Sequence, residues 1–361
     1  MKRRLNLFFI SLMALLISSC QEEYFVDLKD VETALVVEGY ISDKGGLQNI
    51  RLSYASKFQS VESPVFAFGA NVILHVSDGT TWEFDPGWAG YYHLPADFLA
   101  EPGKTYILEI QLTGPDGEPR VYQSIPQTLP SPVNIDDAYA EFSEELFFFH
   151  STETDYVYQR YVPGTNAMVS ASNTDGSPVR FRFESEMYLQ YVIRYDGIIP
   201  VYDYCWIRRD VTDFAGSDIN LFPNQQSSPT RIAFIPSIPF YMGHLGFPRY
   251  PYDGVRVIIN RMFTLNEQAY KYHKDKNEQL GDNGQFFDPI ASQVKGNIKC
   301  ISHPDELVLG FFEVSSETTR PYIVNANEYY NILEVNLLDL NFDEIPRAGC
   351  KLDTLPDFWL P

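Results

Sequence analysis

Val72-Ile73-Leu74-His75-Val76-Ser77-Asp78-Gly79-Thr80-Thr81-Trp82-Glu83-Phe84 is the stretch that decides the fold. Apolar and polar residues alternate on both sides of an Asp-Gly pair. Alternation puts every second side chain on one face of a pleated strand, and Asp-Gly accepts the positive φ of a tight hairpin turn. Working outward, Leu35-Val36-Val37-Glu38-Gly39-Tyr40-Ile41 and Ile50-Arg51-Leu52-Ser53-Tyr54 read as strands before it. Gly90-Tyr91-Tyr92-His93-Leu94 follows, and Pro102-Gly103 turns the chain into a strand ending at Ile110. Pro115-Asp116-Gly117 then links Ile110-Gln111-Leu112-Thr113 to Arg120-Val121-Tyr122 as a second hairpin. About seven short strands with frequent turns predict an immunoglobulin-like β-sandwich over residues 34–128.

Pro126, Pro130 and Pro132 break the pattern and mark a boundary. Residues 133–361 read as a larger β-rich domain with one or two helices, its strands including 139–142, 179–184, 187–193, 255–259, 297–302 and 307–314. The helix runs from about Asn266 to Leu280, capped by Asn266, braced by Glu267 with Lys271 and Lys274 with Glu278, and stopped by Gly281 and Gly284. Residues 196–230 read as a long irregular segment, and loops of that length carry function or disorder. Tyr202, Tyr204 and Trp206 lie in it as candidate contact aromatics; the alternative is a buried aromatic clamp beside a disulfide.

At the other end, Lys2-Arg3-Arg4 precede an apolar run that closes on Leu16-Ile17-Ser18-Ser19-Cys20. Residues 1–19 resemble a bacterial lipoprotein signal, which implies that Cys20 is acylated and that 20–33 form a lipidated tether. An ordinary cleaved signal peptide is the alternative. Acylation has a clear physical use, since each buried methylene contributes about 0.8 kcal/mol and several chains hold firmly where one holds marginally. Gln21-Glu22-Glu23 resembles a surface-export signal, which would turn the body toward the cell exterior; a merely solvated spacer is the bland reading. Extended, residues 21–33 reach at most roughly 45 Å.

The 361 residues carry a formal charge of −21, and losing residues 1–19 makes it more negative. Such a balance argues against nucleic acid and against adsorption to anionic lipid. The 24 Tyr, 26 Phe and 4 Trp suit pleated faces more than helices. Beyond Cys20 stand Cys205, Cys300 and Cys350; Cys300 with Cys350 closes the shortest loop, for about 4 kcal/mol in the chain-entropy picture, and Cys205 is the alternative partner. His75, His93, His150, His244, His273 and His303 are scattered singly, so no helix-borne zinc motif forms. No nucleophile elbow or phosphate-cradling loop is present. Asp282, Asn283 and Asp288 lack the order of a calcium loop. No catalytic residue, metal or cofactor is expected.

The last third carries a wider resemblance. Asn266-Glu267-Gln268-Ala269-Tyr270-Lys271-Tyr272, Phe286-Phe287-Asp288-Pro289, Val294-Lys295-Gly296-Asn297-Ile298 and Pro304-Asp305-Glu306-Leu307-Val308-Leu309-Gly310-Phe311-Phe312 follow one another. With residues 35–41, Cys205-Trp206 and Asp357-Phe358-Trp359, their order resembles a Bacteroidota family of outer-membrane lipoproteins catalogued as a domain of unknown function, of the DUF4249 type. Family members often carry a second cysteine near Cys350, which this chain lacks. The resemblance implies a TonB-dependent outer-membrane transporter as neighbour and partner, an unknown nutrient as ligand, and no established site residues. The expected role is non-catalytic substrate capture or gating at the outer membrane. A structural or adhesive accessory, and a surface hydrolase built on paired carboxylates, are the rivals.

Overall fold

The computed structural model describes residues 34–46, 48–55, 65–150, 156–174, 176–195, 201–211, 218–221, 225–236, 256–281, 294–324 and 348–349. The signal, the tether, Cys20, Gln21, Glu22 and Glu23 lie outside them, as do Asp282, Asn283, Asp288, Cys350 and the terminal Asp357-Phe358-Trp359. The fold is mainly β, with a single helix among the described residues.

The deciding hairpin forms as read. Strand β4 (Asn71–Val76) pairs with β5 (Thr81–Glu83), with Gly79 at φ 90° in the turn and the Asp78 carboxylate accepting the Thr80 N–H at 2.9 Å. The second hairpin joins β8 (Thr105–Thr113) to β9 (Pro119–Ser124). With β10 (Gln127–Thr128) beside β8 and β18 (Ile298–Cys300) beside β9, these strands make one sheet in the order β18-β9-β8-β4-β5. The facing sheet runs β19-β1-β2-β7-β6, from β1 (Leu35–Ile41), β2 (Asn49–Tyr54), β6 (Asp85–Pro86), β7 (Tyr91–His93) and β19 (Val308–Val314), with β3 (Val65–Phe66) against β2. Leu35, Val37, Ile50, Leu52 and Phe312 from this sheet share one core with Val72, Leu74, Leu108, Ile110 and Tyr122 from the other.

This two-sheet sandwich draws on two parts of the chain, whereas a continuous unit over 34–128 was expected. Strands β18 and β19, from beyond residue 297, complete both sheets, so 133–361 is not self-contained either. The cause is edge coverage: β1 offers seven residues of backbone, and β19 takes them in parallel from Leu35↔Val308 to Ile41↔Val314. A parallel neighbour needs a long crossover, which local reading cannot see. Gly310 makes the approach possible. It sits at φ 85°, and a Cβ there would lie 2.1 Å from the Val37 carbonyl oxygen.

The second body has two more sheets. In the smaller, β11 (Ile135–His150) and β12 (Val157–Ala171) form a long hairpin, with β16 (Thr230–Pro236) along part of β12. The larger runs β20-β17-β13-β14-β21, from β13 (Val179–Tyr195), β14 (Val201–Asp210), β17 (Arg256–Leu265), β20 (Ser316–Val324) and β21 (Ala348–Gly349), with β15 (Asp218–Leu221) against β13. Ala167, Val169, Ile232 and Ile235 pack against Phe181, Phe183, Ile258 and Met262 between the two sheets. Residues 201–210 and 218–221 are therefore strands, not the irregular loop expected over 196–230. The alternating apolar signal there was interrupted by Asp203, Arg208 and Arg209, which masked a central strand.

Helix α1 (Glu267–Gly281) crosses the junction of the two bodies. Its cap is Asn266, whose Oδ1 accepts the Ala269 N–H at 2.9 Å, and Gln127 of the sandwich bonds both Asn266 and Gln268. Lys274 pairs with Glu278 as expected, but Lys271 turns to Asp275 at 2.7 Å and Glu267 faces Arg180 at 3.9 Å. Only Ser315 separates β19 from β20, so one run of chain leaves the sandwich and enters the larger sheet of the second body.

Candidate interaction surface

Among the described residues, the β11–β12 hairpin carries a group of exposed apolar side chains, while Val65, Phe68 and Trp88 stand exposed on the sandwich. Strand β16 pairs with β12 only from Val169 back to Gly164, so beyond Gly164 the hairpin is two-stranded among the described residues. Directly opposed residues share a face, and the register opposes Leu146 to Tyr161, Phe148 to Gln159 and His150 to Val157. Phe142, Leu146 and Phe148 of β11 thus line up with Tyr161 and Val157 of β12. Phe142 is 78% exposed, Phe148 66% and Tyr161 64%. The other face is engaged within the protein: Phe147 meets Phe234 at 5.9 Å between ring centres, and Glu145 pairs with Arg231. One face of one hairpin holds five large apolar groups in water. Contiguous exposure of that kind marks contact surfaces, and aromatic anchors dominate their energetics.

The expected contact aromatics lie elsewhere. Trp206 is fully buried and stacked on Tyr188 at 6.1 Å and 25°, so it belongs to the core. Tyr202 and Tyr204 pair through their backbones with Arg194 and Val192 inside β14. The hairpin stripe escaped the sequence reading because Leu146-Phe147-Phe148-Phe149 looks like core. Its signal was Glu144, which alternation puts on the same face as Phe142, Leu146 and Phe148.

Among the described residues, the strongest charge constellation lies at the junction. The buried Glu313 carboxylate receives the Arg182 guanidinium through Nε at 3.1 and 3.0 Å and through Nη2 at 2.9 Å. His273 Nε2 lies 2.5 Å from its other side and the Ser315 hydroxyl donates at 2.6 Å. Burial alone raises the Glu313 pKa, but Arg182 and His273 more than offset this and hold it well below the carboxylate range. Arg182 also pairs with Glu184 and lies 3.8 Å over the Phe263 ring. Every oxygen of Glu313 is committed, so this is a pin between β13, β19 and α1, with no carboxylate left over for acid–base chemistry.

Cys300, His303 and Glu306 also gather, with ligand-type atoms within 4.8 Å of one another. The Glu306 carboxylate is occupied: Arg120 Nε donates at 2.7 Å and the Tyr122 hydroxyl at 2.6 Å. Cys300 Sγ is 3.4 Å from the Ser302 hydroxyl, which reaches His303 Nδ1 at 3.0 Å. With a guanidinium on the only carboxylate, the set suits a hydrogen-bonded turn better than a cation. Cys300, at the end of β18 in the sandwich, is a free and buried thiol, and Cys350, its expected partner, lies outside the described residues.

The family described as Domain of unknown function (DUF4249) matches residues 21–321. The chain belongs to that family. No curated protein matches it. The DUF4249 match runs through the sandwich, the exposed hairpin, α1 and into β20, so the junction pin lies within it and β21 lies beyond it.

Proposed function

We propose that this DUF4249 protein is a lipid-anchored outer-membrane lipoprotein, displayed on the cell exterior, and that it serves as the non-catalytic partner of a TonB-dependent transporter. In this reading the sandwich is immunoglobulin-like in role as well as layering, and the hairpin face docks on the barrel protein to hold or gate an unidentified nutrient. The observation that carries the reading is the five-residue apolar stripe formed by Phe142, Leu146, Phe148, Tyr161 and Val157. Further support comes from the motif around Cys20, from the Gln21-Glu22-Glu23 run and, among the described residues, from the ion pairs that hold the buried Glu313 and Glu317.

An apolar dock resists salt, because screening acts on charges and not on buried hydrocarbon. Extraction in mild detergent should therefore recover the protein with a barrel at both low and high ionic strength. Phe142→Asp with Phe148→Asp should cut that recovery at least 10-fold, since two central anchors each contribute about 1–2 kcal/mol. A photo-crosslinking residue at 148 should give an adduct of barrel size. Recovery of the wild-type chain as a free monomer at every ionic strength, with no adduct, would end the proposal.

A further inference from the structure

The sandwich sheet built on β1 and β2 carries a row of rings on its outward face. Ile50, Leu52 and Tyr92 point into the core, so their alternates Arg51, Tyr91 and His93 point out. The register sets Glu38, Arg51 and Tyr91 in one row across β1, β2 and β7, and Asp85 beside His93 in the next. The Arg51 guanidinium lies 5.0 Å from the centre of the Phe66 ring and 5.4 Å from that of Tyr91. The rings continue on both sides. Phe66 meets Phe68 at 6.3 Å between centres, Tyr91 meets Trp88 at 6.3 Å, and Tyr91 stacks on His93 at 6.1 Å and 13°. We propose that this face binds the sugar rings of a neutral, β-linked polysaccharide.

Trp88 is 80% exposed and Phe68 64%, yet the backbone holds Trp88 firmly. Its turn is closed by the Gly87 N–H on the Tyr91 carbonyl at 2.7 Å and by the Tyr91 N–H on the Trp88 carbonyl at 3.1 Å. Ala89 within it sits at φ 52°, a left-handed conformation that disfavours a residue with a Cβ. Charge decides the occupant. Every other described arginine that is buried or half-buried meets a carboxylate. Arg51 forms no ion pair among the described residues, and its Nε and the His93 Nδ1 are shielded without a hydrogen-bond partner. A wholly apolar partner would strand that guanidinium. A polyanion would meet Glu38, Asp85 and a chain of net charge −21. A neutral sugar presents C–H groups on its ring face and hydroxyls around its edge. The face stacks on Trp88 and Tyr91, while the hydroxyls accept from Arg51 and donate to Asp85 or Glu38. Rings spread along one sheet face suit an extended, β-linked chain better than a coiled one.

The test uses the purified full-length chain in mild detergent, so its result does not depend on any transporter. Native gels containing soluble xyloglucan, galactomannan or mixed-linkage β-glucan are the probes. At least one of the three should retard the wild-type chain, and polygalacturonate should not. Trp88→Ala removes an exposed ring, so the melting midpoint should hold while the polymer concentration for half-retardation rises about 10-fold or more. Arg51→Met keeps an apolar stem between the rings and should weaken binding as well. Phe142→Asp with Phe148→Asp should bind polymer like the wild type, which separates this face from the hairpin dock proposed above. No retardation by any of the three polymers, equal retardation by polygalacturonate, or undiminished retardation of Trp88→Ala overturns the proposal.

Discussion

Replacing Glu313 by Gln should be among the most damaging isosteric changes this chain can suffer. The side chain keeps its shape but loses its charge, leaving Arg182 buried between Phe263 and Tyr40 with only Glu184 as a partly solvated counter-charge. Breaking one side of a buried ion pair costs about 3–5 kcal/mol, because the remaining charge keeps its desolvation penalty without its compensation. Glu184 recovers part of this, so about 3 kcal/mol is expected. The substitution also weakens the hold of His273 on the strand. At about 2–4 °C per kcal/mol for domains of some 150–250 residues, the thermal midpoint should drop by at least about 6 °C. Scanning calorimetry with urea unfolding followed by tryptophan fluorescence measures both quantities. Replacing the pair together, Arg182→Met with Glu313→Leu, should recover most of the loss, since no charge is then stranded. If Glu313→Gln costs under about 1 kcal/mol, or if the double variant is worse than the single one, Arg182 and Glu313 are not the pin described above.

Gly310→Ala should destabilise by about 3 kcal/mol or more: φ 85° adds left-handed strain of roughly 1–2 kcal/mol, and the new Cβ must push β19 off the Val37 carbonyl. Circular dichroism melts, compared with Gly79→Ala where nothing stands within 4 Å, separate the clash from the backbone strain. Acid should weaken the fold through Glu313, whose pKa is lowered in the folded state: its contribution is complete above its ordinary value of 4.5 and drains away as pH falls toward the folded value. Midpoints taken from pH 7 down to 3 should fall, and Glu313→Gln should flatten that fall; a parallel slope in the variant would refute the assignment. Residues 34–128 made alone should fail to melt cooperatively and should aggregate on size exclusion, because β1 and β9 lose β19 and β18 and expose strand edges. A sharp, monodisperse melt would show that the sandwich does not need its late strands.

Local chemistry was legible and non-local pairing was not. Asp78-Gly79 with its flanking alternation, the Pro115-Asp116-Gly117 hairpin and the Asn266 cap all act within a few residues, and each forms as read. The parallel pairing of β1 with β19 joins residues that share no local pattern, so 308–314 could be recognised as a strand but not assigned to the sandwich. Arg182 and Glu313 stand 131 residues apart and look like any two charges on alternating strands. Trp206 reads as a contact aromatic only while its segment reads as an irregular loop; on β14 it is buried and stacked on Tyr188, nearer the buried-clamp alternative. The Leu146-Phe147-Phe148-Phe149 run drew no reading of its own; alternation turns Leu146 and Phe148 to the exposed face while Phe147 meets Phe234 on the other.

The order of pairing also sets what the two bodies transmit to each other. Strand β1 opens the described fold, directly after the segment proposed as a lipid tether, and lies in parallel register with β19 over seven residues. A pull along that tether loads β1 in shear against β2 and β19, so all of those hydrogen bonds share it at once. From β19 the chain passes through Ser315 into β20, whose Ser316 and Thr318 hydroxyls donate to Pro130 and Val133 of the linker at 2.5 and 2.7 Å. Arg182 and His273 grip Glu313 immediately before that crossing. Strand continuity, clipped linker and buried ion pair all act within four residues of Ser315. Three constraints at one hinge remove the freedom a proline linker would otherwise leave, so the exposed hairpin is carried at a set orientation to β1. Were the hairpin to dock as proposed, that restriction would help, because orientation supplied by the fold need not be supplied by the encounter.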